Sequence, residues 1–216
     1  MTVIDITSII SNDSDVNHCH EGSVEHMSRW EPNARGRLEQ AALDLYRERG
    51  FEQTTVAQIA ERVGLTERTF FRYFADKREV LFWGQAMLQE LVVNTIASQP
   101  DRVAPITMVV AAFDAMAATF PQERRELLRQ RQAVIAANAE LQERESLKLA
   151  SLACAIAEAL RQRGVTDPTA SLIAETGCAV SKVAYVRWIS EPGWRTLSEL
   201  LRESLDELKV ALGPWG

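Results

Sequence analysis

Residues 54 to 77, TTVAQIAERVGLTERTFFRYFADK, constrain this chain more than any other stretch, because they spell two short helices around a tight glycine turn. Thr55 precedes an apolar run and Gln58 follows three positions later, a capping box that satisfies the free backbone N–H groups of a helix start. Val56, Ile59, Ala60 and Val63 recur at helical spacing, and Gly64 supplies a turn conformation that a Cβ would disfavour. Thr66 is a second N-cap. After it Phe70 and Phe74, four apart, are expected to face the core, leaving Glu67, Arg68, Thr69, Phe71, Arg72 and Tyr73 outward. An exposed second helix of this kind is what a helix-turn-helix reader lays in the DNA major groove. The alternative is a plain αα-hairpin, which shares the geometry. Upstream, RGRLEQAALDLYRERGF sets Leu38, Ala41, Ala42, Leu45 and Tyr46 on one face with Gly50 as C-cap, so a third helix can cover the hairpin.

Gly50-Phe51, Thr54-Thr55-Val56, Gly64-Leu65-Thr66, Phe71-Arg72-Tyr73-Phe74 and Lys77 together resemble the N-terminal pattern of the tetracycline-repressor (TetR) family of bacterial regulators, over about residues 35 to 80. Beyond residue 80 the resemblance is one of size and all-helical character. It implies an all-α fold, with a three-helix helix-turn-helix domain followed by a larger helical ligand-binding and dimerisation domain. It also implies phosphate contacts from Thr55, Tyr73 and Lys77, with Arg68, Thr69 and Arg72 facing base edges or the groove wall. Arg35 would belong to a basic arm with Arg29 and Arg37. Two positions depart from the pattern. Phe71 replaces a frequent tyrosine and offers a ring to a thymine methyl, while Glu67 replaces a frequent lysine and would repel phosphate.

The formal charge of −6 looks wrong for a DNA binder until it is divided along the chain. Residues 1–28 carry −5, residues 29–78 carry +2 and the remainder carries −3. The expected domains are therefore an acidic, disorder-like extension at 1–28, a DNA-binding domain at 29–78 and an effector and dimerisation domain at 79–213. His18, Cys19, His20 and His26 cluster in the extension, but a mobile acidic arm lacks outer groups to orient metal ligands, so neither metal nor cofactor is expected. Met27 is an alternative start. No apolar stretch nears the ~20 residues of a membrane span. Three cysteines without C-x-x-C spacing, an odd number that leaves one unpaired, suit a reducing, cytoplasmic setting, with Cys154 and Cys178 as core fillers.

Downstream, the capping pattern Asp76/Glu79 predicts a helix through about Ser98. Further helices are expected at about 105–120, 121–137, 141–163, 168–189 and 194–212, with Asp167 as an N-cap before Pro168. Val180, Val183, Leu197, Leu201, Leu205 and Leu208 are candidate dimer residues, because two copies of the last helix pair could form a four-helix bundle; the alternative is that they cover their own core. Gly177 and Ala184 are small neighbours in the same set. Met87, Met108, Phe113, Met116, Phe120, Tyr185 and Trp188 are candidates for an apolar effector pocket, with Arg129 pairing an anionic head group. These readings add up to a homodimeric repressor of a palindromic double-stranded operator, released by a small hydrophobic or acyl-type effector. The alternatives are a helix-turn-helix dimer without a ligand and an all-helical enzyme. The enzyme reading is opposed by the lack of histidine outside the extension and of any G-x-S-x-G, phosphate-loop or H-E-x-x-H motif.

Overall fold

Local capping chemistry places the first three helices where the spacing predicts them. In the computed structural model, which describes residues 33–213, α1 spans Ala34–Arg49, with the Asn33 side chain accepting from Gly36 N. It ends at Gly50, whose backbone is left-handed at φ 85° and whose N–H donates to Tyr46 O. The capping box at Thr55 and Gln58 opens α2 (Val56–Arg62), and Thr66 caps α3 (Glu67–Tyr73) by accepting from Thr69 N at 3.2 Å. Between them Gly64 takes φ 69°, as a sharp reversal requires. Leu38, Leu45, Ile59, Ala60, Phe70 and Phe74 close the core of this unit.

The described residues contain ten α-helices and one 3-10 turn, and they divide into two compact units between Val80 and Leu81. The helix expected over residues 76–98 is broken. Asp76 does cap, accepting from Arg78 N at 2.8 Å and Glu79 N at 2.9 Å, but α4 stops at Glu79–Phe82. Gly84, left-handed at φ 86°, interrupts the chain before α5 (Gln85–Ala97).

In the second unit follow α6 (Pro105–Ala117), the 3-10 turn Gln122–Arg124, α7 (Arg125–Ala136), α8 (Ala139–Gln162), α9 (Thr169–Ser190) and α10 (Leu197–Leu212). Two boundaries correct the sequence reading. Asp167 does not cap α9; its carboxylate lies 2.7 Å from Arg161 Nε and accepts from Ser171 Oγ. The last helix starts at Leu197 rather than Trp194, because Thr196 and Glu199 form an overlooked capping box.

Helix α9 is the centre of the second unit, packing on α6, α7, α8 and α10. Its Gly177 lets α6 approach closely, since a Cβ there would lie 2.5 Å from Val109 Cγ1 and 3.0 Å from Phe113 Cε2. Val180, Leu197 and Leu201 are buried in the core of this same unit, with Leu205 and Leu208 packed partly against it. Burial leaves Val180, Leu197 and Leu201 little surface for the second copy expected there, whereas Leu205 and Leu208 keep part of theirs. Of the six, Val183 faces solvent, as do Leu172 and Val186 on the same helix. Cys154 is exposed rather than a core filler, and Cys178 is half-buried. Among the described residues no helix is long and apolar enough to cross a membrane.

Candidate nucleic-acid interface

Helix α3 is anchored from behind by Phe70 and Phe74, both buried, with ring centroids 5.4 Å apart. That anchoring turns Arg68, Phe71 and Arg72 into solvent and leaves Thr69 and Tyr73 half-exposed. Phe71 is 53% exposed, an apolar ring in water on a helix otherwise polar on that side. Arg68 makes no hydrogen bond or ion pair with any described residue, so its five donors are available to a ligand.

Five other arginines of this unit are engaged, and their partners sort them by role. Arg62 is paired to Glu48 at 2.6 Å, Arg78 to Asp76 at 2.7 Å, and Arg37 donates to the carbonyl of Val63 at the α2–α3 turn. Arg72 Nη2 donates to Tyr73 Oη at 3.0 Å, and its guanidinium lies 4.9 Å from the Tyr73 ring centroid. The Arg35 guanidinium, from α1, lies 5.6 Å from the same centroid. One phenol thus gathers two cations from two helices, while its own O–H remains able to donate.

Lys77, expected at a phosphate, is held within its own unit here. Its ammonium donates to the carbonyls of Phe51 at 2.8 Å, Thr54 at 3.0 Å and Glu52 at 3.2 Å, and sits 4.4 Å from the Phe51 ring centroid. All three N–H groups are taken, so Lys77 clips the α1–α2 turn to the end of the hairpin instead of reaching for phosphate. Tyr46 reinforces the same corner by donating to Lys77 O at 2.6 Å, and burial pushes its phenol up and out of reach of ordinary titration. For Asp76, burial acts upward, but Arg78 and the N–H groups of Glu79 and Arg78 outweigh it and hold the carboxyl below its usual value.

Thr55 and Thr66 are exposed, and each hydroxyl accepts from its own helix; the O–H of Thr55 is left to donate outward, while Thr66 Oγ1 shares a 3.1 Å hydrogen bond with Thr69 Oγ1. The structure therefore brings Arg35, Thr66, Arg68, Thr69, Phe71, Arg72 and Tyr73 together around α3, with Thr55 at the start of α2. Arg29, Met27, Cys19 and the three histidines lie outside the described residues.

In the second unit Met108, Phe113 and Trp188 are fully inside the core, while Met87, Met116, Phe120 and Tyr185 are half-buried. Arg129 is exposed and paired with Glu126 at 2.7 Å one turn away. The inward cation is Arg131, which donates to Leu81 O, lies 3.4 Å from Glu145 and stacks 5.3 Å from the Phe82 ring centroid. Its spacing from Val134 and Ile135, both buried, was the signal that could have chosen it over Arg129.

Residues 39–82 match the family described as bacterial regulatory proteins, tetR family, and residues 103–213, just over half the chain, match the MftR C-terminal domain. The HTH-type transcriptional regulator TcmR of Streptomyces glaucescens is 38% identical over 82 residues, covering 38% of this chain and 36% of TcmR. That match spans about a third of TcmR's own length. MftR of Mycobacterium tuberculosis, named as a regulator of mycofactocin biosynthesis, is 28% identical over 201 residues, covering 89% of this chain and 96% of MftR. A TetR-family regulator solved from Syntrophomonas wolfei superposes with a TM-score of 0.59 at 18% identity, over 83% of this chain and 95% of that one, a likeness of fold.

Proposed function

The chain belongs to the tetR family of bacterial transcriptional regulators, and from that premise we propose that it is a cytoplasmic, homodimeric repressor whose operator grip is released by a small molecule. The observation that carries the DNA reading is the unpaired Arg68 beside exposed Phe71 on a helix whose opposite face is fixed by two buried phenylalanines. On this reading the DNA-binding domain, residues 29–78, reads DNA: Arg68 and Phe71 contact base edges, guanine O6/N7 suiting the first and a thymine methyl the second. Arg35, Arg72 and Tyr73 hold phosphates, assisted by the hydroxyls of Thr55 and Thr66.

Self-association runs through the outer face of α9. Leu172 is 63% exposed, Val183 51% and Val186 44%, and with Ala179 they line one side of the helix. An apolar stripe left in water on a long amphipathic helix favours a second copy, and a two-fold dimer presents two readers to a palindrome with half-sites ~34–36 Å apart. The effector and dimerisation domain, residues 79–213, takes the effector, a hydrophobic or acyl-type small molecule. It releases DNA to the extent that it binds the non-reading conformation better than the reading one.

Selection of bound duplex from a random pool at low ionic strength tests this reading. A two-fold-symmetric site should be enriched, and its affinity should fall with salt at a log–log slope of roughly −0.9 per phosphate contacted. Retention of no duplex at all, with the protein folded, would sink the reading.

A further inference from the structure

We propose that the aromatic corner formed by Phe120, Tyr185 and Trp188 receives an uncharged ligand whose oxygen, of ketone, ester, amide or alcohol type, accepts a hydrogen bond from the Trp188 indole. The inference rests on the reading of the second unit as the effector domain and specifies what the effector carries.

Trp188 is completely buried, and its Nε1 has no hydrogen-bond partner. An indole nitrogen can only donate, so the group it lacks is an acceptor. A buried donor left without one is a standing cost, relieved by whatever supplies it. The three rings stand 6.2–6.3 Å apart, centroid to centroid, and form one aromatic cluster that includes Trp188. Phe120 and Tyr185 keep a minor part of their surface exposed, which gives the cluster an edge toward solvent.

Charge decides what kind of acceptor fits. Arg125 lies 5.9 Å from the Trp188 ring, but its guanidinium donates to the carbonyls of Glu191 and Gly193. Arg131, beside Tyr185, is held by Leu81 O and Glu145, and Arg124 is likewise engaged. Burial raises the Tyr185 phenol, which keeps it neutral. A carboxylate entering this corner would lose its hydration and meet Glu145, and Arg125 and Arg131 already spend donors on other acceptors instead of pairing it directly. A neutral carbonyl or hydroxyl oxygen on an apolar body meets none of these penalties.

The test uses three probes of one skeleton on the full chain: 4-phenyl-2-butanone, butylbenzene, which lacks the acceptor, and the anion 3-phenylpropionate. Thermal shift is read beside the indole N–H resonance of Trp188, identified by its loss in Trp188→Phe. The ketone should raise Tm more than butylbenzene at equal concentration and displace the Trp188 resonance, and the anion should do neither. Trp188→Phe should weaken the ketone roughly two- to tenfold more than it weakens butylbenzene, the difference expected of one neutral hydrogen bond. Should that variant fail to fold, sequential assignment of the indole resonance on the unaltered protein lets the titration decide alone. An indole resonance indifferent to the ketone, as for a donor already held by a buried water, overturns the proposal, and so does a preference for the anion. Ketone binding at Trp188 without any change in DNA affinity would keep the site and overturn the regulatory reading. Release of DNA by compounds that leave the indole resonance in place would do the reverse.

Discussion

Replacing Lys77 by methionine keeps the side chain's length and removes its ammonium, which isolates the clip from any effect of shape. Nζ donates to the carbonyls of Phe51 at 2.8 Å, Thr54 at 3.0 Å and Glu52 at 3.2 Å, two of these bonds being part-buried and one exposed. A hydrogen bond to a charged group contributes roughly 1.5–3 kcal/mol net. The three do not add, because one ammonium is dehydrated once and the exposed bond is replaced by water. A loss of about 2–4 kcal/mol is therefore expected, part of it from carbonyls left unpaired beside the buried Phe51 ring. Urea unfolding, with amide exchange in α1 and α2 as a readout local to the first unit, measures it. DNA binding at a temperature where the variant stays folded supplies the second measurement. If Lys77 serves the fold, the salt slope is unchanged; if it holds a phosphate, the slope shrinks by roughly 0.9. A variant of near-native stability with a reduced slope would refute the structural role.

Three further outcomes are expected. Arg68→Ala should relax preference at one base position at ~1–3 kcal/mol, whereas Arg72→Ala should weaken all sequences about equally and reduce the salt slope by about 1; selection of bound DNA with each variant separates them. Gly177→Ala should cost about 1–3 kcal/mol in thermal or urea unfolding, since the added methyl meets Val109 Cγ1 at 2.5 Å inside a packed core, and a neutral result would mean that α6 yields freely. Burial, aided by Glu175, pushes the Cys178 thiol up to about 12, so at pH 8 only about one molecule in ten thousand carries its thiolate; alkylation followed by peptide mapping should label exposed Cys154 well before Cys178.

Much of the fold was legible because its signals are local. The capping box at Thr55 and Gln58, the cap at Thr66 and the left-handed glycines at 50 and 64 depend on residues within one helical turn, and each stands where the spacing put it. The inward pair Phe70 and Phe74 follows from the period of the helix, and with it the outward set of α3. The break at Gly84 was missed because a lone glycine is tolerated within a helix, and whether it bends the chain depends on what packs on either side.

What only the tertiary structure decided is the choice of partner. Lys77 lies 23 to 26 residues from the carbonyls it binds, Arg131 is 50 from Leu81 O, and neither separation leaves a pattern in the chain. A leucine stripe announces that it will be buried without saying against what, so Leu197 and Leu201 turned into their own core, and the face of α9 carrying Leu172, Val183 and Val186 was left in water. Period and capping are properties of consecutive residues and are written in the sequence. Which cation meets which carbonyl depends on how distant helices close together, and that is settled by packing, over distances that local spacing does not encode.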